Sequence, residues 1–324
     1  MIGRRAALGI VGGGALAGRV GAQSVGRVRR IAVLRWDTLE TTSTGLAVFR
    51  DRLAELGWVE GRNLAIDLRF AGGDPVRAAA LLTEMLRNDP EIIVASSTPA
   101  VRSAIAATSS VPIVMAPAAD PIANGFVSQL ARPGGNVTGV TLGGPDVTAK
   151  QIELLRDIIP NLARIAFLGS SRDPAASFFA AAAEAAARSV GIELTSHFIA
   201  EAGELPATMA AIARSGVGAL LVQPIFVFQR DVVASLALQY RLPAVSELRP
   251  LAQAGLLLTY GTSTDFGLGT AAAYVDRILH GARPGDLPVE RPTRIELVVN
   301  LRTAQALGLT LPPVVLGRAD ELIE

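Results

Sequence analysis

The sequence predicts an α/β fold made of two doubly wound lobes, and three observations lead to it. The chain is 324 residues long, which exceeds one ordinary hydrophobic core and suits two domains of roughly 120 to 150 residues each. Short apolar runs alternate with helical stretches, as in parallel sheets that carry helices on both faces. Glycine, proline and asparagine concentrate in residues 132–144, which predicts a crossover between the lobes there.

The first series of apolar runs predicts the first lobe, residues 28–142. Its predicted strands are 31–34, 64–70, 92–96 and 112–116, and its predicted helices are 44–56, 75–87 and 100–108. Only the second strand carries charges, at Asp67 and Arg69. The other three are almost entirely apolar, as expected of strands that are buried on both faces.

The second series predicts a second doubly wound lobe, residues 143–261, with an alanine-rich helix over 175–188. Its predicted strands are 164–168, 192–198, 219–222, 243–246 and 256–260. A helical pattern over 264–280, a proline-punctuated stretch over 282–292 and a last apolar strand over 295–299 follow. We therefore expect the tail to cross between the lobes again, with 262–290 in the first lobe and 295–324 in the second.

The N-terminus has the pattern of a signal peptide, residues 1–22. Arg4 and Arg5 precede an apolar, glycine-rich stretch, and the small residues 20–22 suit a cleavage site before Gln23. The paired arginines resemble a twin-arginine signal. The chain has no cysteine, so a lipid anchor on an N-terminal thioether is not possible. The sequence predicts export to the periplasm, and the alternative is a cytosolic protein with an N-terminal tail.

Composition excludes several classes of function. The chain has 30 basic and 29 acidic side chains and a formal net charge of +1, which argues against a nucleic-acid partner. The absence of cysteine excludes disulfides, thiol nucleophiles and thiolate metal sites. The two histidines, His197 and His280, are far apart in sequence, so we expect no histidine-rich metal site. No cofactor is expected.

Residues that follow the strands of the first lobe are its candidate ligand-binding residues, because ligands of open parallel sheets bind at the carboxyl ends of the strands. An indole there can stack on a ligand, and hydroxyls beside a helix N-terminus suit a carboxylate. Packing of the indole and ordinary helix capping are the alternatives. The candidates are Trp36, Asp37, Thr38, Ser97, Thr98 and Asp120.

Residues at the strand ends of the second lobe are the candidate ligand-binding residues on the other side of the cleft. They are Ser170, Ser171, Pro224, Glu247 and Tyr260. No acid–base pair at a diagnostic spacing accompanies them, and a serine without a neighbouring histidine is not evidence of a nucleophile. A triad assembled in space stays open at this point.

One nucleotide-binding pattern occurs in an unsuitable context. Gly267, Gly269 and Ala272 match G-x-G-x-x-A, but the match lies inside a helical pattern and not directly after a strand. The sequence contains no G-x-x-x-x-G-K-[ST] loop. We therefore predict neither a dinucleotide site nor an ATP-hydrolysing subunit of that type.

Four segments of the chain form a distinctive set: 55–64 (ELGWVEGRNL), 120–125 (DPIANG), 130–139 (LARPGGNVTG) and 288–293 (PVERPT). They resemble the ABC-transporter substrate-binding family that is related to tryptophan-binding importer components. The resemblance continues through 272–279, 300–309 and 318–323 and so covers essentially the whole chain after the predicted signal peptide.

This resemblance implies a type I periplasmic-binding-protein fold, in which two Rossmann-like lobes are joined by three crossover hinge segments and close on a ligand. It implies an ABC permease and its ATPase as partners, and no catalysis. Transferred to matching positions, it places Trp36, Asp37, Ser97, Thr98 and Asp120 on one side of the ligand. Ser170, Pro224, Glu247 and Tyr260 lie opposite.

The class of solute stays open between an amino acid, an aromatic acid and another small organic solute. Ile225 and the stretch 266–269 replace polar residues of the family pattern, which indicates a pocket more apolar than a zwitterionic amino acid prefers. Two other functions suit the same lobes, a periplasmic or cytosolic enzyme and a ligand-sensing domain, because a fold does not determine a function.

Overall fold

The computed structural model describes residues 27–37 and 44–324. The predicted signal peptide and Thr38 lie outside the described residues. The described part forms two sheets with helices on both faces of each, so the predicted α/β fold with two doubly wound lobes is confirmed.

The first sheet is parallel throughout and has the strand order β2-β1-β3-β4-β5. Its strands are β1 (Arg29–Arg35), β2 (Leu64–Phe70), β3 (Ile92–Ser96), β4 (Ile113–Ala118) and β5 (Val137–Thr141). The helices between them are α1 (Thr44–Glu55), α2 (Pro75–Leu86) and α3 (Thr98–Ala107).

Strand β1 shows why these runs are apolar at every position. Ile31 and Val33 point to one hydrophobic cluster, which includes Phe49 of α1. Ala32 and Leu34 belong to the cluster on the opposite face. A strand buried on both faces exposes no position to water, so the alternation of polar and apolar residues typical of a half-exposed strand is absent.

The second sheet has the strand order β12-β11-β10-β9-β8-β6-β7. Its strands are β6 (Arg164–Ser170), β7 (Glu193–Ile199), β8 (Ala219–Val222), β9 (Ala244–Ser246), β10 (Leu258–Thr262), β11 (Ile295–Asn300) and β12 (Glu321–Ile323). The remaining helices are α4 (Pro145–Ile158), α5 (Ala176–Ser189), α6 (Leu205–Arg214), α7 (Arg230–Gln239), α8 (Arg249–Ala254), α9 (Thr264–Leu279), α10 (Leu301–Leu307) and α11 (Pro313–Leu316). Strand β11 runs antiparallel to β10, because the chain re-enters this sheet from the other one.

The chain passes between the two sheets at three places. It leaves the first sheet after β5 and enters α4, and it leaves the second sheet after β10 and enters α9. Helix α9 packs on α1 and on strands of the first sheet. The chain then runs beside β5, where Thr141 N donates to Glu290 O at 2.9 Å, before β11 joins the second sheet.

Strand β5 differs from the prediction for the glycine-rich stretch. Residues 132–144 were expected to form only a crossover, but residues 137–141 are a fully buried strand paired with β4. The sequence conceals this strand because its residues, Val-Thr-Gly-Val-Thr, form no apolar run and turn-forming residues surround them. The crossover itself begins after Thr141. The sequence prediction also has no counterpart for α4, α10, α11 and β12.

None of the described helices is both long enough and apolar enough to cross a membrane.

Candidate functional site

A cavity of about 360 Å³ lies between the two sheets. Its volume falls in the range of small-ligand sites, roughly 300 to 1,000 Å³. The first sheet contributes the carboxyl ends of β1, β3 and β4, and the second contributes loops and helices that follow β6, β8 and β9. Leu142, Thr262 and Ser263, at two of the crossings between the sheets, also line the cavity, as does Leu268 of α9. The cavity therefore lies at the carboxyl ends of both sheets.

Ser97 and Thr98 bring the N-terminus of α3 to the cavity. Ser97 has φ 90° and ψ 154°, a backbone region that residues other than glycine adopt only when the surroundings impose it. Its Oγ accepts from Ala100 N at 3.4 Å, and Thr98 Oγ1 accepts from Ala119 N at 2.9 Å. The first turn of a helix carries a partial positive charge, so this part of the cavity favours an anionic group.

A buried ion pair lies beside it. Arg35 Nε is 3.0 Å from Asp37 Oδ1, and Arg35 Nη2 is 2.5 Å from Asp37 Oδ2. Both residues line the cavity, although their side chains are only 7% and 1% exposed. Because the two charges are matched within the pair, neither offers a free charge to a ligand, and loss of one would leave the other buried without a partner.

The opposite side of the cavity is largely apolar. A short 3₁₀ turn, Pro224–Gln229, presents Pro224, Ile225 and Phe228. Phe179 of α5 and Leu248 add to the same surface. Aromatic and aliphatic side chains in this arrangement suit the apolar body of a ligand. This agrees with the apolar pocket that Ile225 indicates in the sequence.

Asp173 is a cavity-lining carboxylate that the sequence reasoning missed. Its Oδ1 accepts from Ala175 N at 2.9 Å, and its Oδ2 accepts from Gln223 Nε2 at 2.8 Å. Gln223 Oε1 in turn accepts from Ser170 N at 2.8 Å. Burial raises the pKa of Asp173 to about 6, although the hydrogen bond from Ala175 opposes the shift. The residue lies three positions beyond the end of β6 and so does not directly follow a strand.

Four of the predicted site residues line the cavity, and they come from both sheets. They are Asp37, Ser97, Thr98 and Pro224. The structure brings them together although 187 positions separate the first from the last, because each follows the carboxyl end of a parallel strand.

The other described candidates do not line this cavity. Trp36 is 4% exposed and packs in the hydrophobic cluster between the first sheet and α2. Asp120 Oδ1 accepts from Ala123 N at 3.1 Å, and Ser171 Oγ donates to Ile199 O at 3.2 Å. Ser170 contacts Gln223 through its backbone, and Tyr260 O accepts from Gln151 Nε2 at 2.9 Å.

Glu247 lies beside the cavity-lining Leu248 but is itself 3% exposed. Neither of its carboxyl oxygens has a hydrogen-bond partner among the described residues. Burial raises its pKa to about 8. The group is therefore mostly protonated at neutral pH and carries no charge to offer a ligand.

The nucleotide-like glycines have a packing role in α9. A Cβ at Gly267 would lie 2.8 Å from Pro117 Cδ, so the glycine lets α9 approach β4 closely. Within residues 27–37 and 44–324 there is also no group of three or more His, Asp or Glu side chains placed to hold a metal ion.

Comparisons with known proteins agree with this architecture. The family model described as ABC transporter substrate binding protein matches residues 28–323. The crystal structure of a conserved domain protein from Vibrio cholerae O1 biovar El Tor has a TM-score of 0.86 and 26% identity, over 91% of this chain and 100% of that one. A Streptococcus pneumonia ABC domain in complex with L-Trp has a TM-score of 0.83 and 28% identity, over 91% and 99%. The curated tyrosine-binding protein of Clostridioides difficile (strain R20291) is 24% identical over 81% of this chain and 75% of its own length.

Proposed function

Because this chain belongs to the family of ABC transporter substrate-binding proteins, we propose that it binds a small organic solute outside the inner membrane and delivers it to an ABC importer. The observation that carries the proposal is the cavity of about 360 Å³ between the two sheets. Its lining combines the N-terminus of a helix on one side with an aromatic and aliphatic surface on the other. Such a cavity suits a solute with a polar head and an apolar body.

The proposed solute is an amino acid or an aromatic or other organic acid. Phe179 and Phe228 can pack against a ring, while Ser97 and Thr98 suit a carboxylate. The relatives support this class, since one is named a tyrosine-binding protein and another is a complex with L-Trp. A dissociation constant near 1 μM corresponds to about 8 kcal/mol, which a few charge-assisted hydrogen bonds and one stacked ring can supply.

We propose that the lobes close on the solute by a hinge motion at the three crossings. One lobe consists of residues 28–142 with 262–290, and the other of 143–261 with 295–324. Asp37, Ser97 and Thr98 belong to the first lobe and Pro224 to the second, so the solute contacts both lobes only when they are close together. A solute shifts the equilibrium between open and closed forms only through its higher affinity for the closed form.

The proposed partners are a membrane permease and its ATPase, which distinguish the closed, loaded form from the open one. The proposed location is the periplasm, reached through the signal peptide 1–22. The absence of cysteine means that the exported chain is not held by a thioether lipid anchor.

A binding screen tests the proposal. The full-length chain is expressed with its predicted signal peptide, purified after export and screened by thermal shift against amino acids, aromatic acids and aliphatic acids. A solute at 100 times its dissociation constant adds about 2.7 kcal/mol to the free energy of unfolding, which raises the melting temperature measurably. Calorimetry then gives the affinity, and intact mass shows whether cleavage precedes Gln23.

Chemical analysis of the solute after incubation separates a binding protein from an enzyme. We expect saturable binding and recovery of the solute unchanged. Conversion of the solute into a product would overturn the proposal in favour of an enzyme. Cytosolic retention of the uncleaved chain would overturn the proposed location.

A further inference from the structure

Two residues that line the cavity, Ser96 and Thr262, each carry a buried hydroxyl group that has no hydrogen-bond partner among the described residues. Ser96 is 7% exposed and Thr262 is 2% exposed. Buried hydroxyls in proteins are nearly always paired, because an unpaired one loses its hydrogen bonds to water and gains nothing in return. Unpaired hydroxyls that line a cavity therefore indicate a partner that enters the cavity.

The two hydroxyls come from different sheets. Ser96 is the last residue of β3 in the first sheet, directly before the N-terminus of α3. Thr262 is the last residue of β10 in the second sheet, where the chain leaves for α9. A solute that accepts a hydrogen bond from each of them therefore connects the two sheets at one of their crossings.

Two positively charged features favour an anionic acceptor. The N-terminal turn of α3 contributes a partial positive charge beside Ser96. Arg230, the first residue of α7, brings a guanidinium group to the same cavity. The carboxyls of Asp173 and Asp231 also line the cavity, and they suit a cationic group of the solute instead. Hydroxyls and a guanidinium donate hydrogen bonds to carboxylate oxygens, and such charge-assisted bonds are the stronger ones.

We propose that Ser96 and Thr262 donate hydrogen bonds to a carboxylate of the bound solute, one from each sheet, and that this bridge determines which solutes the lobes close on. The inference rests on the proposed solute-binding function. If it is correct, every solute that the protein binds carries a carboxylate, whereas the ring or chain differs from one solute to another.

The chain offers matched controls of the same residue types. Ser246 Oγ donates to Val222 O at 2.7 Å, and Thr138 Oγ1 donates to Leu287 O at 2.8 Å. Both residues are at most 1% exposed, and neither lines the cavity. They share the burial of Ser96 and Thr262 but have partners within the protein.

Thermal melts without solute distinguish the cavity residues Ser96 and Thr262 from the controls Ser246 and Thr138. We expect Ser246→Ala and Thr138→Val to lower the melting temperature, because each removes a made hydrogen bond and leaves a buried carbonyl unpaired. Ser96→Ala and Thr262→Val remove only an unpaired hydroxyl, so their melting temperatures stay at the wild-type value or rise. A fall as large as that of the controls would show that the two hydroxyls are structural and would overturn the inference.

Calorimetry with three matched probes tests whether binding requires a carboxylate on the solute. Indole-3-propionate and L-tryptophan carry a ring and a carboxylate, whereas tryptamine lacks the carboxylate. We expect the full-length exported chain to bind the first two and not tryptamine. Ser96→Ala and Thr262→Val each weaken binding roughly tenfold or more, and the double variant weakens it further. Ser246→Ala and Thr138→Val retain wild-type affinity.

The outcomes separate this inference from the proposed function. Binding of the carboxylate probes with unchanged affinity in Ser96→Ala and Thr262→Val overturns the bridge and leaves the solute-binding function standing. If tryptamine binds with the same affinity as the carboxylate probes, the inference that the solute must carry a carboxylate is overturned. If wild type binds none of the three probes, the proposed solute class fails for these compounds. The melts without solute then decide the inference: a fall in the two cavity variants overturns it, and the absence of a fall supports it.

Discussion

Glu247 is the residue whose environment departs most from that of a free side chain. Its carboxyl has no hydrogen-bond partner among the described residues, and burial alone raises its pKa from 4.5 to about 8. Between these two pH values the folded protein binds more protons than the unfolded chain. The contribution of Glu247 to the free energy of unfolding therefore falls as pH rises from about 4.5 to about 8 and changes little above that. Asp173 acts in the same direction between pH 3.8 and about 6.

Glu247→Gln is expected to remove the part of this pH dependence that Glu247 contributes between about pH 4.5 and about pH 8. Gln is neutral at every pH, so the difference in unfolding free energy between the variant and wild type should grow in favour of the variant from pH 5 to pH 8. The growth is on the order of 3 kcal/mol. Urea unfolding at several pH values measures it. Glu193→Gln, which changes an exposed carboxyl, serves as the control and keeps the wild-type slope. Parallel curves for Glu247→Gln and wild type would contradict the prediction.

The strand-end rule found some of the residues that line the cavity and missed others for a physical reason. Asp37, Ser97, Thr98 and Pro224 lie directly at the carboxyl ends of strands and reach the cavity. Asp173 reaches it from the turn before α5, and nothing local in the sequence separates it from any other turn aspartate. Glu247 follows the same rule as Pro224, yet packing around it leaves the carboxyl inside the lobe.

At the scale of single elements, β5 depends on one glycine. Gly139 has φ +125°, and a Cβ there would lie 2.4 Å from Met115 O of the neighbouring strand. The strand pairs with β4 on one side. On the other side, Thr138 Oγ1 donates a hydrogen bond to Leu287 O. A larger residue at position 139 would therefore separate β5 from β4 and disturb the segment that returns toward the second lobe.

Gly139→Ala is expected to destabilise the protein by roughly 2 to 4 kcal/mol, from the strained backbone and the clash together. Chemical denaturation followed by circular dichroism measures the loss. Gly135→Ala is the matched control, since it lies in the same stretch with nothing within 4 Å of the added Cβ, and it should change stability by less than about 0.5 kcal/mol. Equal stability of the two variants would show that β5 tolerates the side chain.

At the scale of the whole molecule, the proposed hinge requires that each lobe moves as a unit. The chain contains no cysteine, so paired cysteines can be introduced for spin labels without a background signal. Val76 of α2, Ile122 and Val232 of α7 are 77%, 47% and 47% exposed. The first two belong to the proposed first lobe and the third to the second.

Labels at positions 76 and 232 are expected to change their separation when a binding member of the solute panel saturates the protein. Labels at positions 76 and 122 lie within one lobe and should keep theirs. Pulsed electron paramagnetic resonance gives both distance distributions. A separation between 76 and 232 that is the same with and without bound solute would contradict hinge closure, and a change between 76 and 122 would contradict the proposed lobe boundaries.

The sequence by itself determined the class of fold, the positions of most strands and helices, and the family. These follow from local properties: a strand buried on both faces is apolar at every position, and a helix keeps its own period wherever it packs. Only the tertiary structure decided that residues 137–141 form a strand, that Asp173 reaches the cavity and that Glu247 does not. It alone showed that Ser96 and Thr262 line the cavity and that their hydroxyl groups have no partner among the described residues. Each of these depends on which groups from distant parts of the chain meet, and on which polar atoms that meeting leaves without a partner.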